Sequence, residues 1–236
     1  MEFTAADSPP SPLEAVGAKF VREQMLFVRG KVRDTIHDIA AQIAPGMLEE
    51  DAVEMVRDML AERDMLRGWH DIHVRFGSNT LKTFGAPSEP GVRLRGNDIF
   101  FIDIGPVWKD WEGDGGETFV VGSDAEMKAA SIDVKRLFHT VRNRWSTTGM
   151  SGKALYEFAT QEARKMGWEL NLDLSGHRLS DFPHAAVYDG PLADVDFKPA
   201  PLLWVLEMHI RHAERGFGAF FEDMLLDDSY FEPVAA

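Results

Sequence analysis

Two pairs of apolar segments in this chain predict two β-hairpins, and each hairpin carries two carboxylates. Residues 99–108 and 111–122 predict the first pair of strands, joined by a turn at Lys109-Asp110. A tight turn makes Asp103 and Asp114 diagonal neighbours on one face of this hairpin, whereas a slightly longer turn makes them direct partners. Any fold of this chain must therefore place like charges close together within a sheet.

The second predicted hairpin, residues 201–210 and 217–226, repeats this acidic pairing. A symmetric register places Glu207 opposite Glu222. Paired carboxylates repel each other, and burying a carboxylate within an apolar run is costly unless a positive charge lies close to it. A pair of divalent cations is the simplest solution, because four carboxylates and one imidazole form a hard ligand set. These candidate ligands are Asp103, Asp114, His177, Glu207 and Glu222.

Two pairs of helices are also predicted, one pair before each hairpin. Apolar residues at intervals of three or four predict the first helix over residues 13–43, and the acidic residues 49–51 open the second. Ser123, with Glu126 three residues later, fits a capping box that begins the third helix. Residues 151–166 predict the fourth, which ends at a glycine. This repeated order predicts a pseudo-symmetric α+β fold in which the two hairpins meet at the metal site.

Composition divides the chain into a flexible leader (residues 1–12), a single domain (13–226) and a C-terminal tail (227–236). The leader is acidic and rich in serine and proline, unlike a signal peptide or a transmembrane segment, so a cytoplasmic location is expected. The net charge of −14 argues against nucleic acid and anionic membranes as partners. Because the chain has no cysteine, thiolate ligands are excluded from any metal site.

Short motifs with characteristic spacing surround the candidate ligands. They are Phe101-Ile102-Asp103-Ile104-Gly105, Gly113-Asp114 running into Phe119-Val120-Val121-Gly122, Gly176-His177 with His184 seven residues later, Val205-Leu206-Glu207, and Glu222-Asp223. Over residues 15–226, these motifs resemble those of the pitta-bread metallopeptidase superfamily, which includes methionine aminopeptidase, aminopeptidase P, prolidase and creatinase. The resemblance implies an α+β pitta-bread fold, in which pseudo-symmetric helix pairs pack on a curved antiparallel sheet.

The resemblance also implies roles for individual residues. The five candidate ligands would hold two divalent ions, for which the carboxylate-rich set favours Mn²⁺ or Fe²⁺ while Co²⁺ and Zn²⁺ remain open. His184 would lie near the metals without binding them, where it can donate a hydrogen bond to an oxyanion or a leaving group. The implied activity is aminopeptidase-like hydrolysis of a small peptide or amide by a metal-activated water. A homodimer remains open.

Several positions depart from the family pattern. Ala185 stands where an acidic residue often follows the second histidine, and Phe220 replaces an arginine of prolidase-like members. The histidine that precedes the first aspartate in methionine aminopeptidase is also absent; His70 and His73 either replace it or serve structural roles. These departures leave three alternatives: an enzyme acting on a non-peptide C–N bond of a small metabolite, a metal-free creatinase-like site, or a non-catalytic binding protein.

Overall fold

The computed structural model of the chain describes residues 11–83 and 85–230, which contain four α-helices and nine strands. The helices are α1 (Arg22–Ala40), α2 (Glu49–Ala61), α3 (Ala125–Thr147) and α4 (Gly152–Lys165). The strands are β1 (His73–Phe76), β2 (Asp98–Ile104), β3 (Val107–Trp108), β4 (Trp111–Glu112), β5 (Gly115–Val121), β6 (Glu169–Leu170), β7 (His177–Arg178), β8 (Trp204–Arg211) and β9 (Gly218–Met224). Seven strands form one antiparallel sheet in the order β1-β2-β5-β9-β8-β6, with β7 also paired to β8, and β3 and β4 form a separate ribbon.

Each half of the sheet is covered by its own pair of helices. Helices α1 and α2 share one apolar cluster with β1 and β2, whereas α3 and α4 share another with β8 and β9. Because side chains alternate along a strand, the residues between these core positions point away from the helices. Asp103 on β2 and Glu207 on β8 occupy such positions. The arrangement confirms the predicted α+β fold, with pseudo-symmetric helix pairs on an antiparallel sheet.

The first hairpin adopts one of its two predicted registers but is interrupted near the turn. Asp103 pairs with Gly116, which makes Asp114 the diagonal neighbour expected for a tight turn. The prediction of two continuous strands for this hairpin is wrong, however, because each is divided into two shorter strands. The chain leaves the main sheet at Pro106, which lacks a backbone N–H, and the carbonyl of Pro106 accepts a hydrogen bond from Gly113. Asp114 therefore lies just before β5, where its side chain does not have to follow the alternating orientation of side chains within a strand.

The first helix begins nine residues later than predicted, at Arg22 instead of residue 13. The preceding segment is held in a non-helical path by contacts with the second half of the chain. The buried Glu14 carboxylate accepts hydrogen bonds from the backbone of Ala200 and the indole of Trp204, and Asp181 accepts one from the N–H of Gly17. These long-range bonds override the local apolar spacing that favoured a helix.

The remaining helix predictions differ from the structure by only a few residues. The cap of α3 is Asp124 instead of Ser123, because the Asp124 carboxylate accepts the first free N–H groups of the helix. Helix α4 has Ser151 as its cap and ends before Gly167, which adopts a positive φ of 87°. Most of the leader and most of the tail lie outside the described residues, so the predicted boundaries stay predictions. Within the described ranges, no helix combines the length and apolar character needed to cross a membrane.

Candidate metal centre and active site

A cavity of about 300 Å³ opens on the face of the sheet opposite the helices. All five predicted ligands line it, and the predicted catalytic residue His184 lines it as well. These residues come from both hairpins and from the segment between α4 and β8. Glu207 and Glu222 are direct partners in the β8–β9 register, as predicted from the symmetric hairpin. Residues distant in sequence thus converge where the two halves of the sheet meet.

Asp114 lies at the centre of the polar cluster. Its Oδ2 atom is 2.8 Å from Nε2 of His177, and its Oδ1 atom is 3.2 Å from Nε2 of His70. Two groups of potential ligand atoms share this aspartate, one with His70 and Asp103 and the other with His177 and Glu222. Within each group the atoms lie within 4.8 Å of one another. The shared carboxylate is therefore suited to bridge two cations.

Glu207 belongs to neither of these two groups, although it lines the same cavity. Its Oε2 atom accepts a hydrogen bond of 2.6 Å from the backbone N–H of Gly176. Gly176 has a positive φ of 72°, and a Cβ there would overlap with the carbonyl of Val205 and the side chains of Leu192 and Tyr156. This hydrogen bond places Glu207 beside the segment that carries His177.

The cluster holds more negative charge than its surroundings stabilise. Burial, together with neighbouring carboxylates, raises the pKa of Asp103, Glu207 and Glu222. Burial alone would lower the pKa of His70 and His177, but the nearby carboxylates raise each pKa to about 9. Without a cation, the cluster therefore retains protons on groups that would otherwise be metal ligands.

The donor set fits a pair of divalent cations. Glu222 is only 1% exposed, and its Oε1 atom has no hydrogen-bond partner among the residues that the structure describes. A buried carboxylate oxygen without a donor is costly unless a cation or a proton satisfies it. Carboxylate oxygens combined with imidazole nitrogens suit Mn²⁺, Fe²⁺, Co²⁺ and Zn²⁺. The residues present are thus compatible with the divalent ions expected for this site.

His184 is held at the cavity wall by Glu112. The Glu112 carboxylate accepts hydrogen bonds from Nδ1 of His184 at 2.8 Å and from its backbone N–H at 2.9 Å. It also accepts one from the N–H of Ser180. With Nδ1 engaged, Nε2 is the ring nitrogen of His184 that remains available to the cavity. The sequence did not single out Glu112, which is 72 residues from His184 and carries no local signal of this contact.

Trp69 forms another part of the wall that the sequence analysis missed. Its ring packs against His70, His177 and His184, with centroids 4.4, 4.7 and 4.9 Å away. Its indole N–H donates a hydrogen bond of 3.1 Å to the carbonyl of Gly113, next to Asp114. Trp69 therefore connects the three imidazoles to the loop that carries the central aspartate.

The two histidines proposed as replacements for the absent family histidine have different positions. His70 lines the cavity and approaches Asp103 and Asp114. His73 lies opposite Asp103 in the β1–β2 register but lines a separate groove next to α2. Burial lowers the pKa of His73 to about 4. Of the two, only His70 reaches the polar cluster.

An apolar cluster adjoins the polar part of the cavity. Phe220 and Phe101 pack against each other, with ring centroids 5.3 Å apart, and share a buried cluster with Leu174. Leu174 itself lines the cavity. On the opposite strand, a Cβ at Gly116 would overlap with the Phe220 ring, so only glycine leaves room for it. Phe220 thus places an apolar surface behind Leu174, beside the predicted metal ligands.

A match to a sequence profile identifies the class of protein that this fold and cluster define. The sequence profile of metallopeptidase family M24 matches residues 25–226. The chain therefore belongs to metallopeptidase family M24, and its fold is the pitta-bread fold of that family. The family includes metal-dependent hydrolases, in agreement with the acidic and histidine cluster. Among proteins with curated descriptions, no sequence match to this chain is found.

Solved structures with the same fold include several proline-related peptidases. An X-Pro aminopeptidase from Thermotoga maritima is 19% identical, with a TM-score of 0.68, covering 86% of this chain and 56% of its own. A prolidase from Pyrococcus furiosus is 19% identical, with a TM-score of 0.64, covering 90% and 62%. An aminopeptidase P variant from Escherichia coli is 15% identical, with a TM-score of 0.61, covering 86% and 51%. The chain thus spans between half and two thirds of the length of these relatives.

Proposed function

We propose that this chain is a dinuclear metal-dependent hydrolase that cleaves a peptide or amide bond of a small substrate. The observation that carries the proposal is the buried Glu222 carboxylate, which faces Glu207 and has an oxygen without a hydrogen-bond partner among the described residues. Membership of family M24 supports the same class of chemistry. The cavity of about 300 Å³ is at the small end for ligand sites and favours a short substrate.

The five ligands in this proposal are Asp103, Asp114, His177, Glu207 and Glu222. Two divalent ions held by them would supply an activated water and polarise a carbonyl group. The carboxylate-rich set favours Mn²⁺ or Fe²⁺, with Co²⁺ and Zn²⁺ as alternatives. Asp114 would contribute to holding both ions, because its two oxygens approach the imidazoles of His70 and His177.

His184 is the catalytic residue in this proposal. Because Glu112 engages Nδ1, His184 presents Nε2 to the cavity and can donate a hydrogen bond to negative charge that develops on the substrate or on the leaving group. Trp69 covers the histidines on one side and limits the access of water to them. Leu174, which lines the cavity and packs with Phe101 and Phe220, provides an apolar surface that orients an apolar part of the substrate.

A second candidate function is hydrolysis of a non-peptide C–N bond in a small metabolite. The apolar cluster of Phe101, Leu174 and Phe220 favours it, because Phe220 stands where the family resemblance predicted an arginine. A non-catalytic binding protein is a third candidate function, and a metal-free site of the creatinase type is a fourth.

The proposed location is cytoplasmic, and the proposed assembly is a monomer or a homodimer without nucleic acid or membrane partners.

Metal analysis combined with a substrate library separates these functions. We expect two divalent ions per wild-type chain and metal-dependent hydrolysis of a peptide or an amide. Asp114→Ala should lose at least one ion and all activity. The matched control Asp173→Asn, which changes another residue of the cavity lining, should retain its metal and its activity. Activity on amides or amidines alone would favour the second function, and bound metal without turnover would favour a binding protein. Full metal occupancy in Asp114→Ala would contradict the ligand assignment.

A further inference from the structure

His70 is held so that one particular ring nitrogen faces the acidic cluster. Its Nδ1 atom lies 2.7 Å from the backbone carbonyl of Asp71. A carbonyl oxygen only accepts hydrogen bonds, so Nδ1 carries a proton and donates it. In the neutral ring, Nε2 is then unprotonated, and it lies 3.2 Å from Asp114 and 3.6 Å from Asp103. Protein histidines that bind metals commonly have this arrangement, with the second nitrogen donating to a backbone carbonyl or a carboxylate.

His177 has the same arrangement on the other side of Asp114. Its Nδ1 atom lies 2.6 Å from the carbonyl of Arg178, and its Nε2 atom approaches Asp114 Oδ2. In both histidines the carbonyl belongs to the next residue in the chain. The two imidazoles therefore approach the two oxygens of one carboxylate in equivalent ways.

The sheet topology places these histidines in corresponding halves of the fold. His70 lies three residues before β1, and β1 pairs with β2, which carries Asp103. His177 lies in β7, which pairs with β8, the strand that carries Glu207. Strands β5 and β9 lie between the two halves. Each half thus supplies one imidazole and one carboxylate of its own, with Asp114 and Glu222 between them.

The surroundings fix the ring of His70 in this position. Its side chain is only 4% exposed, and it packs between Trp69 and the parallel ring of His73. A Cβ at Gly105 would overlap with the His70 ring, so the backbone directly after β2 approaches the imidazole closely. His70 is therefore positioned by packing as well as by its hydrogen bond.

We propose that His70 is a sixth metal ligand, which binds through Nε2 to the ion on the Asp103 side. This inference rests on the proposed dinuclear centre and extends it, since each of the two ions then has one imidazole ligand. A second imidazole also moves the ligand set away from ions that prefer oxygen alone and towards Fe²⁺, Co²⁺ and Zn²⁺. The two ions should accordingly bind with more similar affinities than a centre with one histidine would give.

Titration of the metal-free protein with Co²⁺, followed by calorimetry and by visible absorption, tests the inference without an activity assay. The variant is His70→Phe, which keeps a ring against Trp69 but removes the nitrogen. His73→Phe is the matched control, since it makes the same replacement in the adjacent ring. We expect two ions in the wild type and in the control. In His70→Phe, one ion should weaken by about 100-fold or more, with a changed absorption spectrum.

The outcomes distinguish this inference from the proposed function on which it rests. Two ions with wild-type affinities and spectrum in His70→Phe would overturn the role of His70 and leave the five-ligand centre intact. A wild-type chain that binds no ion would overturn both. A second measurement needs no variant: in the wild type loaded with ¹¹³Cd and labelled with ¹⁵N-histidine, two imidazole nitrogens should couple to cadmium. Coupling to one alone would contradict a ligand role for His70.

Discussion

Glu112 accepts two hydrogen bonds from His184, one from the ring and one from the backbone, and thereby fixes the face of the imidazole that meets the cavity. Glu112 is only 1% exposed, so this pairing is shielded from bulk water. The residue that follows His184 is Ala185, where the family resemblance predicted an acidic residue. The carboxylate next to His184 thus comes from a different part of the chain.

Replacement of His184 by alanine should separate catalysis from metal binding. His184 lies beside the predicted ligands in the same cavity, but its Nδ1 atom is engaged by the Glu112 carboxylate. We expect His184→Ala to keep its metal and to lower turnover by about 100-fold or more, the usual scale for the loss of one proton donor or oxyanion partner. Elemental analysis and steady-state kinetics on the same preparation measure both effects. Loss of metal would make His184 a ligand, and unchanged turnover would make it structural.

Replacement of Glu112 by glutamine should lower turnover while leaving the substrate affinity and the bound metal unchanged. Glutamine keeps the shape of the side chain, but its amide oxygen cannot accept all three hydrogen bonds that the carboxylate accepts. We expect a decrease in kcat of about 10-fold to 100-fold, as for other groups that orient a functional histidine. NMR of ¹⁵N-labelled histidine should show a changed Nδ1/Nε2 proton distribution on His184. An unchanged distribution together with unchanged kcat would reduce Glu112 to a structural role.

The sequence limited the register of the first hairpin to two alternatives and predicted that of the second from its symmetry. Lys109 and Asp110 both adopt positive φ angles, 47° and 68°, which is typical of a two-residue turn that fixes the pairing of its strands. The pairing of Asp103 with Gly116 follows directly. The symmetric register predicted for the second hairpin places Glu207 opposite Glu222, and the structure shows this pairing together with the tight-turn alternative of the first hairpin.

The contacts of His70, Trp69 and Glu112 could not be predicted, because they depend on how distant segments pack. Trp69 and His70 reach the site only after β1 pairs with β2, and no periodicity in their neighbourhood indicates which face they occupy. The start of α1 was missed for a related reason. Buried hydrogen bonds to Glu14 hold the preceding segment outside the helix, although its apolar spacing is helical.

The metal-free protein should lose stability as the pH rises above 6.5. Burial and neighbouring carboxylates raise the pKa of Asp103 from 3.8 to about 7, and they also raise the pKa of Glu207 and the pKa of Glu222. Nearby carboxylates raise the pKa of His70 and the pKa of His177 from 6.5 to about 9. A group with a raised pKa binds its proton more tightly in the folded state. Its stabilisation is complete below the unfolded pKa and is lost as the pH rises through the folded value.

Burial lowers the pKa of His73 and His209 to about 4, so these two groups add stability as the pH rises towards 6.5. The expected result is therefore a fall in Tm between pH 6.5 and pH 9 in the presence of a chelator. Asp114, whose pKa is lowered, acts in the opposite direction, but only below its ordinary value of 3.8. Saturating divalent metal replaces the protons and should reverse the trend, because ligands must be deprotonated to bind it. Calorimetry with and without metal measures this. A metal-free Tm that is constant or rises over this range would contradict the arrangement of charges in the cluster.

Phe220 should make the chain a poor dipeptidase for Xaa-Pro substrates. A free dipeptide ends in a carboxylate, which would have to leave water near the apolar cluster of Phe101, Leu174 and Phe220. A substrate whose proline is blocked as an amide avoids this cost. We expect the Xaa-Pro amide to be hydrolysed with at least about 10-fold higher kcat/KM than the free dipeptide, equivalent to 1.4 kcal/mol.

Kinetics on one Xaa-Pro dipeptide and its amide, with Mn²⁺ present, measure this preference. Phe220→Leu serves as the control, because it keeps an apolar side chain and should retain the preference for the amide. Phe220→Arg introduces a positive charge and should narrow the difference by improving the free dipeptide. Its folding must be checked by thermal unfolding, since Phe220 is fully buried and packs on Phe101. Efficient hydrolysis of the free dipeptide by the wild type, at a rate close to that of the amide, would show that Phe220 does not select against a terminal carboxylate.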